Sequence, residues 1–145
     1  MRIAIGCDHR GLSLKGAIME FLRQRGEEYA DFGCYDTSSV DYPDIAREVA
    51  KAVVMGEFDH GILICSTGIG MSIAANKVKG IRAALCHDTS TAHRARAHND
   101  ANILCLGEME RDLGLNIAKT YLTSKFEGGR HEQRLKKIKD LEETR

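Results

Sequence analysis

Short apolar runs that alternate with amphipathic stretches constrain the fold of this chain more than any other feature of its sequence. Residues 61–65 form the clearest apolar run, and residues 3–7 form another. Between such runs apolar residues recur at helical spacing, as in residues 12–25. Strands that alternate with helices form βα units. The pattern therefore predicts an α/β fold: a single doubly wound, Rossmann-like domain with a five-stranded parallel sheet.

The same alternation predicts the remaining elements. Strands are expected at residues 3–7, 28–33, 61–65, 81–86 and 102–106. Helices are expected at residues 12–25, 45–55, through 73–77, and at 89–97, 113–122 and 130–143. Residues 38–44, with the only proline, are predicted to be a loop. One domain then spans residues 1–145, and residues from about 126 to 145 are expected to form a helical arm past the last βα unit.

Composition excludes several classes of protein as a first hypothesis. The 21 basic and 21 acidic residues balance, which argues against a strongly basic nucleic-acid binder. The longest uncharged stretch, residues 61–76, is interrupted by glycine, serine and threonine and is shorter than the roughly 20 apolar residues of a membrane span. Five cysteines, an odd number without a CxxC pair, favour reduced thiols in the cytoplasm. We therefore expect a cytoplasmic protein with no nucleic-acid or membrane partner.

Polar residues at the strand ends are the candidates for chemistry, because open parallel sheets bind ligands beyond the carboxyl ends of their strands. Asp8 and His9 follow the first predicted strand, and residues 65–70 follow the third. His87 and Asp88 follow the fourth, and residues 98–100 precede the fifth. We expect these residues to gather in one cleft.

The loop at residues 65–70 leads from a strand into a helix. Its glycines let successive backbone N–H groups face one cavity, and a helix N-terminus favours a phosphate or a developing oxyanion there. A plain tight turn explains the same glycines. Cys65 begins this loop, where the helix N-terminus favours its thiolate form, so it is a candidate nucleophile or general base. The alternative for Cys65, as for the other cysteines, is core packing.

Arg130 and Arg134 lie four residues apart on the last predicted helix and share one face. With His131 and the preceding Gly128–Gly129 pair they would form an anion clamp, or else a solvated helix face. No HxH or HExxH pattern occurs, so we expect no metal site.

Several segments together resemble one known family, the ribose-5-phosphate isomerase B family, which also contains the galactose-6-phosphate and allose-6-phosphate isomerases. The most specific are Cys65 to Lys77, CSTGIGMSIAANK, and Glu127 to His131, EGGRH. The others are GCDH at residues 6–9, DYP at 41–43, GIRA at 80–83 and HND at 98–100. The matches span nearly the whole chain in order.

The resemblance implies an isomerase of aldose and ketose phosphates that uses neither metal nor cofactor. It assigns Cys65 as the base that moves a proton between C2 and C1, with Thr67 assisting proton transfers at oxygen. His98, helped by Asp8, would open the sugar ring. The residues it assigns to substrate binding are His9 with Arg130 and Arg134 at the phosphate, Tyr42 and Asn99 at the sugar, and the backbone of Ser66, Gly68, Ile69 and Gly70 at the enediolate.

One position decides which version of the family site applies, and two others depart from the frequent pattern. Some relatives lack the cysteine and use a carboxylate six positions later, but Met71 stands there, so the cysteine version applies. Ser66 replaces a frequent glycine. Many members carry a phosphate-binding arginine after the last strand. Strict register places Met109 there and a two-residue insertion places Arg111 there; we favour Arg111 as a substrate-binding residue.

The family also implies a homodimer or homotetramer in which the C-terminal arm completes the neighbouring site. Ribose 5-phosphate and ribulose 5-phosphate are the expected substrates. Isomerisation of a six-carbon sugar phosphate is the first alternative, and a sugar-phosphate sensor without catalytic activity is the second. A thiol redox protein is the third, and the absence of CxxC argues against it.

Overall fold

A computed structural model describes residues 1–144; Arg145, the last residue of the predicted domain, lies outside the described residues. Five parallel strands form one sheet in the order β2-β1-β3-β5-β4. The strands are β1 (Arg2–Cys7), β2 (Glu28–Asp31), β3 (His60–Ile64), β4 (Ala83–Leu85) and β5 (Ile103–Leu106). The helices are α1 (Leu12–Gln24), α2 (Tyr42–Val54), α3 (Ile69–Asn76), α4 (Thr89–Ala97), α5 (Arg111–Thr123) and α6 (Arg130–Glu143). The predicted five-stranded parallel α/β fold is confirmed.

The central strands are apolar because both faces of the sheet are covered. Alternate residues supply two cores: Ile3 and Ile5 pack with α1, α4 and α5, whereas Ala4 packs with α2 and α3. The same alternation along β3 sends Ile62 and Ile64 to the first core, and Leu63 and Cys65 to the second. Cys65 therefore sits between the end of β3 and the layer formed by α2 and α3.

Several predicted boundaries differ from the observed ones. Helix α2 begins at Tyr42, inside the predicted loop, because Pro43 occupies the first turn, where its missing N–H leaves no hydrogen bond unmade. Strand β4 has three residues instead of six, and β2 ends at Asp31. None of the helices within residues 1–144 combines the length and the apolar character needed to cross a membrane.

The last helix, α6, has the predicted bounds and lies largely in solvent. His131 is its buried residue, whereas Leu141 is 71% exposed. Near its end the Glu142 carboxylate accepts a hydrogen bond of 2.9 Å from the backbone N–H of Gly80, and Lys79 pairs with Glu143 at 3.0 Å. These contacts join the end of the arm to the loop that precedes β4.

Candidate functional site

The strand order reverses between β1 and β3, and the carboxyl ends of these two strands form one polar cluster. Cys7 is paired with Ile64 in the sheet, so Asp8 and Cys65 follow neighbouring strand ends. The backbone N–H of Asp8 donates to the carbonyl of Ile64 at 3.0 Å. Ligands of open α/β sheets bind at such a switch point, which makes this edge the first candidate site.

The side chain of Asp8 is buried and held in place by its own loop. One carboxylate oxygen accepts hydrogen bonds from the backbone N–H groups of Arg10 at 2.9 Å and Gly11 at 3.2 Å. Next to it, His9 Nδ1 is buried and has no hydrogen-bond partner among the described residues. A buried imidazole nitrogen without a partner is available for a substrate oxygen.

The loop after β3 places Cys65 against the start of α3. The backbone N–H of Gly68 donates to Cys65 Sγ at 3.2 Å, and the N–H of Ile69 donates to Thr67 Oγ1 at 3.1 Å. Gly68 has φ of +77°, and a Cβ there would lie 2.5 Å from Leu85 Cδ1, so both conformation and space require glycine. The N–H groups of the first helical turn have no intrahelical acceptor and favour negative charge. This arrangement fits a thiolate next to an oxyanion.

Tyr42 covers one side of the loop. It begins α2 and is 37% exposed, and its ring lies against the first turn of α3, where a Cβ at Gly70 would come within 2.5 Å of it. Tyr42 therefore lies beside the loop that leads from Cys65 into α3, and its contact with the sugar stays a prediction. Ser66 and Thr67, in the same loop, are exposed.

Arg111 and Met109 take different positions beside the loop. Met109 borders a groove that also contains Ser66 and Thr67. Arg111 is the first residue of α5 and, together with Arg10 and again Met109, borders a groove of about 320 Å³ against α1. Arg10 pairs with Glu108, and that guanidinium holds the pKa of the Glu108 carboxyl below its usual value. Arg111 as a phosphate ligand stays a prediction.

His98, Asn99, Arg130 and Arg134 lie in a second cluster. The expectation of one cleft was wrong within a single chain, because α4 starts at the carboxyl edge after β4 and runs back across the sheet. Its C-cap, His98, therefore lies at the amino edge, where β5 begins. Asn99 follows it, and its carbonyl accepts a hydrogen bond of 3.2 Å from Arg82 Nε in the segment before β4.

The start of α6 packs on the end of α4. The rings of His98 and His131 stack with centroids 4.3 Å apart and an interplanar angle of 13°. The backbone N–H of Glu127 donates to the carbonyl of Ala97 at 3.0 Å. Arg130 and Arg134 are exposed on the first turns of α6. The two clusters thus hold complementary parts of the predicted site at opposite edges of the sheet.

Sequence reasoning missed Glu127 as a member of the second cluster. Its carboxylate Oε1 lies 3.8 Å from Nε2 of both His98 and His131. Burial, with the positive charges of Arg130 and His98, lowers the pKa of His131. The spacing of four residues between Glu127 and His131 was the available signal, but their approach to His98 depends on tertiary packing.

Asp88, which follows the fourth strand, and three of the cysteines have structural roles. Asp88 caps α4 and accepts a hydrogen bond of 2.7 Å from the N–H of Thr91, which completes a capping box. Burial raises the pKa of Cys7 to about 12 and of Cys86 to about 11, and it raises the pKa of Cys105 as well. These three thiols are therefore protonated packing residues at neutral pH.

Comparison with known proteins identifies close relatives along the full chain. The family model described as Ribose/Galactose Isomerase matches residues 3–138. A putative sugar phosphate isomerase, YwlF of Bacillus subtilis, is 55% identical over 99% of this chain and 98% of its own. Ribose-5-phosphate isomerase B of Escherichia coli is 47% identical over 99% of this chain and 98% of its own.

Solved structures agree with these relatives. Ribose-5-phosphate isomerase B of Clostridium thermocellum has a TM-score of 0.98 and 53% identity, over 99% of each chain. Ribose-5-phosphate isomerase B of Mycoplasma genitalium, solved with bound ribulose-5-phosphate, has a TM-score of 0.94 and 42% identity, over 99% of this chain and 97% of that one.

Proposed function

The chain belongs to the ribose/galactose isomerase family, and we propose that it interconverts ribose 5-phosphate and ribulose 5-phosphate. The names of its relatives, one of them with ribulose-5-phosphate bound, support this choice of substrate. The observation that carries the proposal is the 3.2 Å hydrogen bond from the Gly68 N–H to Cys65 Sγ at the N-terminus of α3. It supports a sulfur base next to donors for a negatively charged oxygen.

In the proposed reaction Cys65 is the base at carbon. As a thiolate its Sγ takes the proton from C2 of the open-chain aldose, and the electron pair of that bond forms the C1=C2 double bond while O1 becomes negative. Thr67 assists the transfer of a proton to O1 and from O2. The sulfur returns its proton to C1, and C2 becomes the ketone carbon.

The first turn of α3 supplies the stabilisation of the enediolate. The backbone N–H groups of this turn, including that of Gly70, lie within the helix dipole and lack intrahelical acceptors. Donors fixed before the reaction stabilise developing charge without reorganising. His9, with its unpartnered buried Nδ1, and Asp8 border the same strand ends.

Ring opening and phosphate binding require the second cluster, which lies at the other edge of the same chain. The proposed active unit is therefore a homodimer, alone or paired into a tetramer, in which the start of α6 from one subunit reaches the Cys65 loop of the other. His98 would open the ring there, Asn99 would bind the sugar, and Arg130 and Arg134 would bind the phosphate. Five unpaired cysteines support a location in the reducing cytoplasm.

The proposal predicts that wild-type protein with EDTA converts ribose 5-phosphate to ribulose 5-phosphate. Cys65→Ala removes the base, and kcat is expected to fall by at least about 10²–10⁴-fold. Cys34→Ala is the matched control, because it deletes another buried thiol, one that does not line the groove of Ser66 and Thr67. Equal activity of wild type and Cys65→Ala would contradict the assignment of the base. No activity in folded wild type would contradict the reaction itself.

A six-carbon sugar phosphate is the second candidate substrate. Met109, which strict register aligns with the phosphate-binding arginine of many family members, borders the groove beside Ser66 and Thr67. In that register an apolar side chain would replace the arginine at the phosphate end of the pocket. A panel of ribose 5-phosphate, allose 6-phosphate and galactose 6-phosphate separates the candidates by kcat/KM. A value for either hexose phosphate that equals or exceeds that for ribose 5-phosphate would favour the second candidate.

A further inference from the structure

Three potential metal ligands converge at the amino edge of the sheet: His98, Glu127 and His131. Nε2 of each histidine lies 3.8 Å from the same carboxylate oxygen of Glu127. The three ligand atoms lie within 4.8 Å of one another. The residues come from three places, namely the end of α4, the segment after α5 and the first turn of α6, so the fold itself assembles the group.

His131 provides an independent observation that points to a ligand. It is 5% exposed, and its Nε2 is buried without a hydrogen-bond partner among the described residues. An unpaired buried polar nitrogen is unfavourable unless something binds to it. The unpaired nitrogen faces the group formed with Glu127 and His98, so an ion bound there would give it a partner.

We propose that His98 Nε2, His131 Nε2 and Glu127 Oε1 bind a divalent transition-metal ion of the zinc class. Two imidazoles and one carboxylate form a ligand set that suits Zn²⁺ or Co²⁺ and leaves one position open. Tetrahedral coordination needs nitrogen–oxygen distances of about 3.4 Å, so each 3.8 Å separation shortens by about 0.4 Å.

The stacked rings must tilt apart from their present 13° for both lone pairs to meet at one ion. His98 and Glu127 can make this adjustment, because their side chains are 34% and 51% exposed. The positive charges of the Arg130 and Arg134 guanidinium groups reach the same site and repel a cation there. Binding is therefore weaker than at a structural zinc site and reversible.

Bound metal inhibits the isomerase, a consequence that rests on the proposed function. An ion on His98 ties up the imidazole that the proposed ring opening uses, so that proton transfer stops until the ion leaves. The ion takes no part in the isomerisation itself, and a chelator restores the activity.

Titration of metal-free protein with Zn²⁺, followed by calorimetry, tests the site without reference to activity. We expect one ion per chain in wild type. Glu127→Gln and His131→Gln each remove a ligand. Loss of a residue that only hydrogen-bonds to a ligand weakens metal affinity by roughly 10–100-fold, and these two variants should weaken it by more. His93→Gln is the matched control, because His93 is exposed on α4 and contacts Ser124 instead. Glu127 is itself exposed, so its variant folds even if the buried His131 variant does not.

Absence of binding, or affinity unchanged in Glu127→Gln, would overturn the site. Thiolate charge-transfer absorption on adding Co²⁺ would also overturn it, because the ligands would then be cysteines. Inhibition by Zn²⁺ in wild type, reversed by EDTA and weakened in Glu127→Gln, tests the regulatory consequence. Inactivity toward ribose 5-phosphate would refute the proposed function and leave the calorimetric result standing.

Discussion

At the scale of single residues, Gly70 shows how closely the pocket is packed. A methyl group there would come within 2.5 Å of the Tyr42 ring. Gly70→Ala should therefore push the ring aside and destabilise the protein by about 1–3 kcal/mol in urea unfolding. It should also raise KM for the sugar phosphate, because Tyr42 covers the pocket.

Two variants isolate this contact. Gly16 is also in a helix, but a Cβ there meets nothing within 4 Å, so Gly16→Ala should stabilise α1 by about 0.5–1 kcal/mol. In a Tyr42→Ala background the destabilisation by Gly70→Ala should nearly vanish, since the clashing ring is absent. A loss of the same size in both backgrounds would assign the effect to the backbone.

Individual residues also show which parts of the candidate site could be predicted from the sequence. Residues of the Cys65 loop could be placed because they follow a strand directly, and their position depends on local chain direction only. His98 could not be placed in this way. It precedes β5 in the sequence, so it lies near the amino end of that strand and not near the carboxyl end. Glu127 and His131 meet His98 through tertiary packing alone.

At the scale of elements, the periodicity of apolar residues predicted every strand and helix. Some boundaries could not be predicted in this way, because they depend on other properties of particular residues. Pro43 was interpreted as a loop residue, although proline is favoured in the first turn of a helix. Apolar residues 81–86 predicted six strand residues, but pairing with β5 covers only Ala83 to Leu85. The bounds of α6 were correct, because Gly129 before the helix and the charged residues along it are local signals.

One contact between elements, His60 at the start of β3 against Tyr121 of α5, predicts a pH dependence of stability. The rings meet edge to face, and His60 Nδ1 lies 3.0 Å from the Tyr121 hydroxyl. Burial, together with the positive charge of Arg96, lowers the pKa of His60 to about 4 from an ordinary 6.5. Below pH 6.5 His60 binds a proton in the unfolded chain but stays neutral in the folded chain. The free energy of unfolding therefore falls between pH 6.5 and pH 4.

We expect His60 to account for a loss of about 2 kcal/mol between pH 7.5 and 4.5 in urea unfolding. His60→Gln cannot titrate and should flatten that part of the profile, whereas His93→Gln, at an exposed position on α4, should not. A His60→Gln profile that parallels wild type over this range would show that other groups cause the loss.

At the scale of the whole molecule, the proposed function implies that a single chain holds an incomplete site, because the two clusters lie apart. Cys65, Asp8 and Tyr42 lie at the carboxyl edge of the sheet, whereas His98 and the two α6 arginines lie at the amino edge. A closed dimer with twofold symmetry would bring each edge to the opposite edge of its partner and form two equal sites. The exposed start of α6 is available for that contact.

Mixing two inactive variants tests this assembly directly. Cys65→Ala lacks the base, and Arg134→Ala lacks a phosphate ligand, so each homodimer should have little activity. A heterodimer contains one site with both defects and one site with neither. Half of randomly exchanged dimers are heterodimers, so the mixture should recover about one quarter of wild-type activity. Native mass spectrometry of differently tagged chains verifies the exchange, and verified exchange without recovery would show that each subunit completes its own site.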